Sequence, residues 1–155
     1  MSNHYRATAE ALMPASANVV YEIMSDYRDL HPAILPSQYF KKMRVEAGGR
    51  GAGTVFTVEM NVYGYKTTLH MTVTEPELGR VLREEDEAQG MVTYFTVTPL
   101  GNDQCHVAIE TTAVAAPGLR GWLEKMTTPA IMRRIFRAQL DNLAALARER
   151  QAVVA

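Results

Sequence analysis

From Gly53 to Glu75 the apolar side chains fall on every second position, with one break at Gly64. Phe56, Val58, Met60 and Val62 alternate with Thr57, Glu59 and Asn61, and Leu69, Met71 and Val73 alternate with Thr68, His70 and Thr72. A period of two over this length predicts an antiparallel hairpin with one apolar and one polar face. The apolar face carries bulky Met and Phe groups and requires a cover.

The same reading extends along the chain. His4 to Met13 predicts a first strand, ended by Pro14. Ser16 or Asn18 then caps a helix whose buried stripe is Val19, Val20, Ile23 and Met24. Asp26 to Leu30 reads as a second short helix closed by Pro32. A strand follows from about Gln38 to Ala47, then a flexible glycine-rich loop over Gly48–Thr54. Further strands fall at about 54–63, 66–75, 79–87, 91–99 and 104–114, with turns at Gly64, Pro76-Glu77, Gln89-Gly90 and Gly101-Asn102-Asp103. From about Leu119 to Gln151, Trp122, Met126, Met132, Ile135, Phe136, Leu140, Leu143 and Leu146 recur at helical spacing. Pro129 lies inside that helix and is expected to kink or divide it. Strands joined by short turns imply a meander. Such a sheet of about seven strands curls, and the long helix is the element large enough to cross its concave face, an α+β architecture.

Length and composition narrow the classes. The 155 residues suit one domain spanning 1–155. A net charge of −1 speaks against a dedicated nucleic-acid binder. Cys105 is the single cysteine, so no disulfide forms within the chain and the cytoplasm is the expected compartment. Neither a signal peptide nor a membrane-spanning apolar run is read from the sequence.

A set of local patterns stands out: Pro14 to Tyr21, Ser25-Asp26-Tyr27, Leu35-Pro36, Gly51-Ala52-Gly53-Thr54, Thr74-Glu75-Pro76 with Gly79-Arg80, and Thr98-Pro99-Leu100-Gly101. Together they resemble the START-like superfamily (SRPBCC or helix-grip proteins), and within it the polyketide cyclase/dehydrase and lipid-transport group. The resemblance covers nearly the whole chain. It implies a cavity between curved sheet and long helix that holds an apolar or amphipathic small molecule. Its members bind, transport, cyclise, dehydrate or hydrolyse, so fold alone does not choose a function.

Three side chains are weak candidates for proton chemistry. His31 precedes Pro32 where the short helices are expected to cap the cavity, and a histidine there suits a general base. A solvent-facing helix end is the preferred plain reading. Tyr27, one turn earlier, either donates to a ligand carbonyl or buries its ring against the sheet. In the run Arg83 to Glu87, one of Arg83 or Glu84 points inward if that part of the sheet is covered, though Val81 and Leu82 leave the parity open. A buried carboxylate there would have a raised pKa; a strand end fraying into solvent is preferred. His4, His31, His70 and His106 show no metal-ligand spacing, and no motif calls for a cofactor. The glycine-rich loop lacks a P-loop ending and reads as a turn. Arginines 133, 134, 137, 148 and 150 are interrupted by Glu124, Asp141 and Glu149, as on a solvated helix face. Trp122 and Met126, near Pro129, fall where a kinked segment would act as a lid, or where the helix simply packs on the sheet.

The favoured expectation is a small-molecule binder that encloses a hydrophobic ligand between Phe56, Val58, Met60, Leu69, Met71, Phe95 and Val97 on the sheet and Trp122, Met126, Met132, Ile135 and Phe136 on the helix. The alternatives are a cyclase, dehydratase or isomerase using Tyr27, His31 or Glu84, and a protein-interaction module docking through Tyr63 and Tyr94 on the polar face. Two or more ionisable groups facing the cavity would favour the enzyme. A homodimer stays open.

Overall fold

The computed structural model describes residues 4–115 and 118–154, without the side chains of residues 119, 120, 122, 123, 125 and 126. The elements follow the order read from the sequence: β1 (His4–Met13), α1 (Ala17–Ser25), α2 (Leu30–Ile34), β2 (Phe40–Ala47), β3 (Val55–Val62), β4 (Tyr65–Glu77), β5 (Val81–Asp86), β6 (Met91–Pro99), β7 (Cys105–Val114) and α3 (Gly118–Val154). All seven strands form one antiparallel sheet in the order β1-β7-β6-β5-β4-β3-β2. The strands after α2 pair consecutively, and the last of them, β7, pairs with β1. This is the helix-grip α+β arrangement.

The alternation of the β3–β4 hairpin becomes a two-sided sheet. Phe56, Val58, Leu69, Met71 and Val73 are buried, whereas Glu59 and His70 are exposed. Burial of each large apolar side chain contributes about 1.5–3 kcal/mol. Ser16 is the helix cap, its hydroxyl accepting the Val19 N–H at 3.2 Å. α1 buries the expected Val19, Val20, Ile23 and Met24, and Ala17 and Tyr21 with them.

Four local expectations are corrected. The second helix begins at Leu30, not Asp26. The Asp26 carboxylate accepts the N–H groups of Arg28 and Asp29, both at 3.1 Å, and so holds the preceding residues in a turn. Pro32 lies inside the first helical turn, where its missing N–H costs nothing. β4 runs through Pro76 to Glu77, with a register shift after Thr74, and the turn follows at Gly79. α3 continues through Pro129 undivided. Finally, the glycine-rich segment is pinned to the end of α1. Gly51 N–H donates to the Ser25 carbonyl (2.8 Å), Tyr27 N–H to the Gly49 carbonyl (2.9 Å), and Ala52 N–H to the Glu75 carboxylate (2.7 Å). Gly51 has φ +58°, a conformation that favours glycine, and a Cβ there would push aside the Glu75 carboxylate that accepts the Ala52 N–H.

Candidate functional site

Between the concave sheet face and α3 lies a cavity of about 1020 Å³. That is at the upper end of the range for small-molecule sites. Of the apolar residues expected to surround a ligand, Phe56, Val58, Met60, Leu69, Met71, Phe95, Met132, Ile135 and Phe136 line it. Val97 does not. It is buried in the core two residues beyond Phe95. The side chains of Trp122 and Met126, and with them the suggested lid, lie outside the described residues.

The buried ionisable groups of the lining come from α2 and β5. On β5, Leu82, Glu84 and Asp86 are buried while Arg83 and Glu85 point outward, which settles the parity that the sequence left open. The fraying strand end is thereby excluded. Glu84 lines the cavity. His31 also lines it and is only 2% exposed, so it is not a solvent-facing helix end. Its ring is held from three sides: Nδ1 lies 2.7 Å from the Met24 carbonyl oxygen, Tyr27 stacks on it at 4.5 Å, and Phe95 meets it edge-on at 5.8 Å.

Tyr27 takes the second of its two expected orientations. It is fully buried, stacked between His31 and Phe56, and does not line the cavity. Its hydroxyl donates to Glu84 Oε1 at 2.8 Å. Tyr27 therefore positions Glu84 and has no direct access to a ligand.

The protonation states follow from burial. Removal from water pushes the Glu84 carboxyl up to about 7, partly offset by the Tyr27 hydroxyl, which favours the charged form. Burial pulls His31 down to about 4, with the Met24 carbonyl and Asp26 acting in the opposite direction. Burial first and Glu84 second raise the Tyr27 phenol well above its usual range, so Tyr27 is a donor throughout the physiological range. Neutral His31 facing the Met24 carbonyl must carry its proton on Nδ1, which leaves Nε2 as a bare acceptor. Nε2 and Glu84 Oε1 are 3.6 Å apart. Despite that approach the two do not form an ion pair at pH 7, because the imidazole is uncharged. Glu84 Oε2 has no protein partner among the described residues, and with Glu84 lining the cavity it is the oxygen left for a ligand.

Three further buried polar side chains line the cavity without having been signalled by the sequence. Thr93 and Thr111 are buried and share a 2.6 Å hydroxyl–hydroxyl hydrogen bond. Gln139 on α3 is 3% exposed and has no hydrogen-bond partner among the described residues. Each stands in an ordinary apolar or amphipathic pattern, and only the cross-strand register and the helix rotation bring them inward. At the mouth, Tyr63 has φ +51°, accepts from Arg134 Nη1 at 2.8 Å and lines the cavity, so it belongs to the rim and not to the outer sheet face. Tyr94 is partly exposed and packs against Arg83. Among the described residues no helix is long and apolar enough to cross a membrane.

Comparison with known proteins agrees with this geometry. The solved structures similar to the chain include the KanY protein, at 30% identity over 94% of this chain and 98% of that one (TM-score 0.81). They also include the Zhui aromatase/cyclase from Streptomyces sp. R1128, at 18% identity over 95% of each chain (TM-score 0.73). A Thalictrum norcoclaurine synthase point mutant in complex with a transition-state analogue aligns at 18% identity over 97% of this chain and 98% of that one (TM-score 0.69). The latter two show the fold alone. No curated protein matches the chain. The family model described as polyketide cyclase / dehydrase and lipid transport matches residues 4–148, and the chain therefore belongs to that family.

Proposed function

We propose that the protein binds a hydrophobic small molecule, lipid, aromatic or polyketide-like, in the cavity between sheet and α3, with one polar group of that molecule set against Glu84. The observation that supports this is the combination of an apolar cavity of about 1020 Å³ with a buried carboxyl whose outer oxygen has no protein partner. Leaving such an oxygen without a partner costs about 1–3 kcal/mol, which a ligand hydroxyl or carbonyl would offset. Phe56, Val58, Met60, Leu69, Met71, Phe95, Met132, Ile135 and Phe136 would supply the apolar contact, and Tyr27 would hold Glu84 in place. Native mass spectrometry of protein purified from its own host should show one copurified small molecule, lost or weakened in a Val58→Trp variant whose indole obstructs the cavity. Protein that arrives empty and also binds no hydrophobic probe would sink the reading.

A second reading, proton-transfer catalysis on a carbonyl compound, draws support from two buried ionisable groups facing the same cavity. Glu84, poised near pH 7, would give or take a proton at its outer oxygen while His31 Nε2 accepts a hydrogen bond. An aryl ketone incubated in D₂O should then take up deuterium beside its carbonyl, and a Glu84→Gln variant should not support this. Unchanged exchange in that variant removes Glu84 from any such role.

A further inference from the structure

The sheet register contains more information than the position of Glu84. Glu84 lies directly opposite Thr93, and Thr93 directly opposite Thr111. Directly opposed residues share a face, so the three side chains form one row across the concave surface, with adjacent strands about 4.8 Å apart. All three line the cavity. The row ends in apolar side chains, Val73 on one side and Ala7 on the other. On the same face Leu82, Phe95 and Ile109 lie below it, and Asp86, Met91 and Ala113 above. Asp86 does not line the cavity and its oxygens are taken up by His70 and Gln89, so the row is a polar stripe across a largely apolar floor.

The hydroxyl pair is not needed to hold the sheet together. Two opposed valines of the same shape would fill these positions at little or no cost in stability. The pair also has a donor to spare. One hydroxyl hydrogen makes the 2.6 Å Thr93–Thr111 bond, and the other has no protein acceptor among the described residues. Thr111 is fully buried and Thr93 5% exposed. The arrangement that satisfies both is Thr111 donating to Thr93 and Thr93 donating into the cavity, a short chain in which each bond polarises the next.

We propose that Thr93, backed by Thr111, is a specificity-determining residue: the cavity selects hydrophobic ligands carrying two oxygen functions about one strand spacing apart, one against Glu84 and one against Thr93. This rests on the small-molecule-binding reading above. A plain hydrocarbon fits the volume but leaves both polar groups without partners, and a ligand with a single oxygen satisfies only one of them.

Naphthalene and 1,3-dihydroxynaphthalene, whose hydroxyls stand on alternate ring carbons, test this by calorimetric titration. The wild-type protein should bind the diol at least tenfold more tightly than naphthalene. The Thr93→Val/Thr111→Val double variant should lose about tenfold of that preference, with naphthalene bound at least as tightly as by the wild-type protein because valine removes the unpaired hydroxyls, and the Thr93→Ser/Thr111→Ser variant should keep it. In the wild-type protein, NMR should show the Thr93 and Thr111 methyl signals shifting with the diol and much less with naphthalene, a readout independent of any variant's folding. Equal affinity for the two probes, or a valine variant that keeps the full preference, overturns the assignment while leaving the binding reading intact. Failure of the wild-type protein to bind either probe overturns both.

Discussion

Glu84 and Asp86 sit two residues apart on β5, on the same face of the sheet, and both are buried. Their surroundings differ in kind. Asp86 Oδ1 accepts the Gln89 N–H, and Oδ2 accepts the His70 N–H and the Gln89 side-chain amide, all at 3.0 Å. Its carboxylate is enclosed by donors that tie β4 to the turn between β5 and β6. Glu84 receives a single donor, Tyr27, and faces a cavity with its other oxygen. Burial therefore says little about the role of an acid. The number of donors around it separates a carboxylate that organises the fold from one available for a ligand or a proton.

The largest test of this contrast is the removal of Asp86. An Asp86→Ala variant strands the His70 N–H and the Gln89 N–H groups, and unfolding in denaturant should show a loss of about 2–4 kcal/mol. A loss below about 0.5 kcal/mol would erase the distinction between the two sites.

The opposite sign is expected at Glu84. Its folded-state value of about 7 stands above its ordinary 4.5, so the folded protein holds a proton that the unfolded chain releases between those two values. The contribution of Glu84 is fully present below about 4.5 and is lost as pH rises to 7. His31, lowered from 6.5 to about 4, acts the other way, and its contribution is lost as pH falls through that interval. Between 4.5 and 6.5 the two slopes oppose each other. Glu84→Gln should uncover the His31 slope alone, with stability rising from pH 4 to 6.5. At pH 8 the variant should be more stable than wild type, by roughly 1–3 kcal/mol. A variant less stable than wild type at pH 8 would show that the charged form of Glu84 is well accommodated.

The smallest change sharpens the role of Tyr27. Tyr27→Phe removes the one donor that favours charged Glu84. The Glu84 titration, followed by carboxyl NMR, should therefore move above 7, with about 1 kcal/mol or less lost in stability. A titration that stays in place would remove Tyr27 as a positioning residue.

Much of the fold was legible because it rests on local periodicity. Alternation placed the strands within a few residues, and the run from Ala17 to Ser25 declared its own cap and buried stripe. The errors fell where a side chain overrode local preference. Asp26 captures two backbone N–H groups and delays the second helix, and β4 extends past Pro76 through a shift in register. The apolar cavity wall was legible for the same reason as the strands, apart from Val97, which packs into the core and does not reach the cavity. Tyr27, His31 and Glu84 were visible one by one, but nothing in the order of residues showed that they meet, since 53 positions or more separate the first two from the third. Thr93, Thr111 and Gln139 gave no signal at all, because a threonine in a strand has the same local pattern whether it faces a ligand or a neighbour.

The sequence by itself determined the elements, their order, the two-sided sheet and the need for a helix to cover it, since these follow from hydrophobic period and turn chemistry acting over a few residues. Only the tertiary structure decided the inward parity of β5, the burial of His31, the saturation of Asp86 against the open oxygen of Glu84, and the row that joins Glu84 to Thr93 and Thr111. Those depend on register between distant strands and on exclusion of water, and both arise only when the sheet closes on α3.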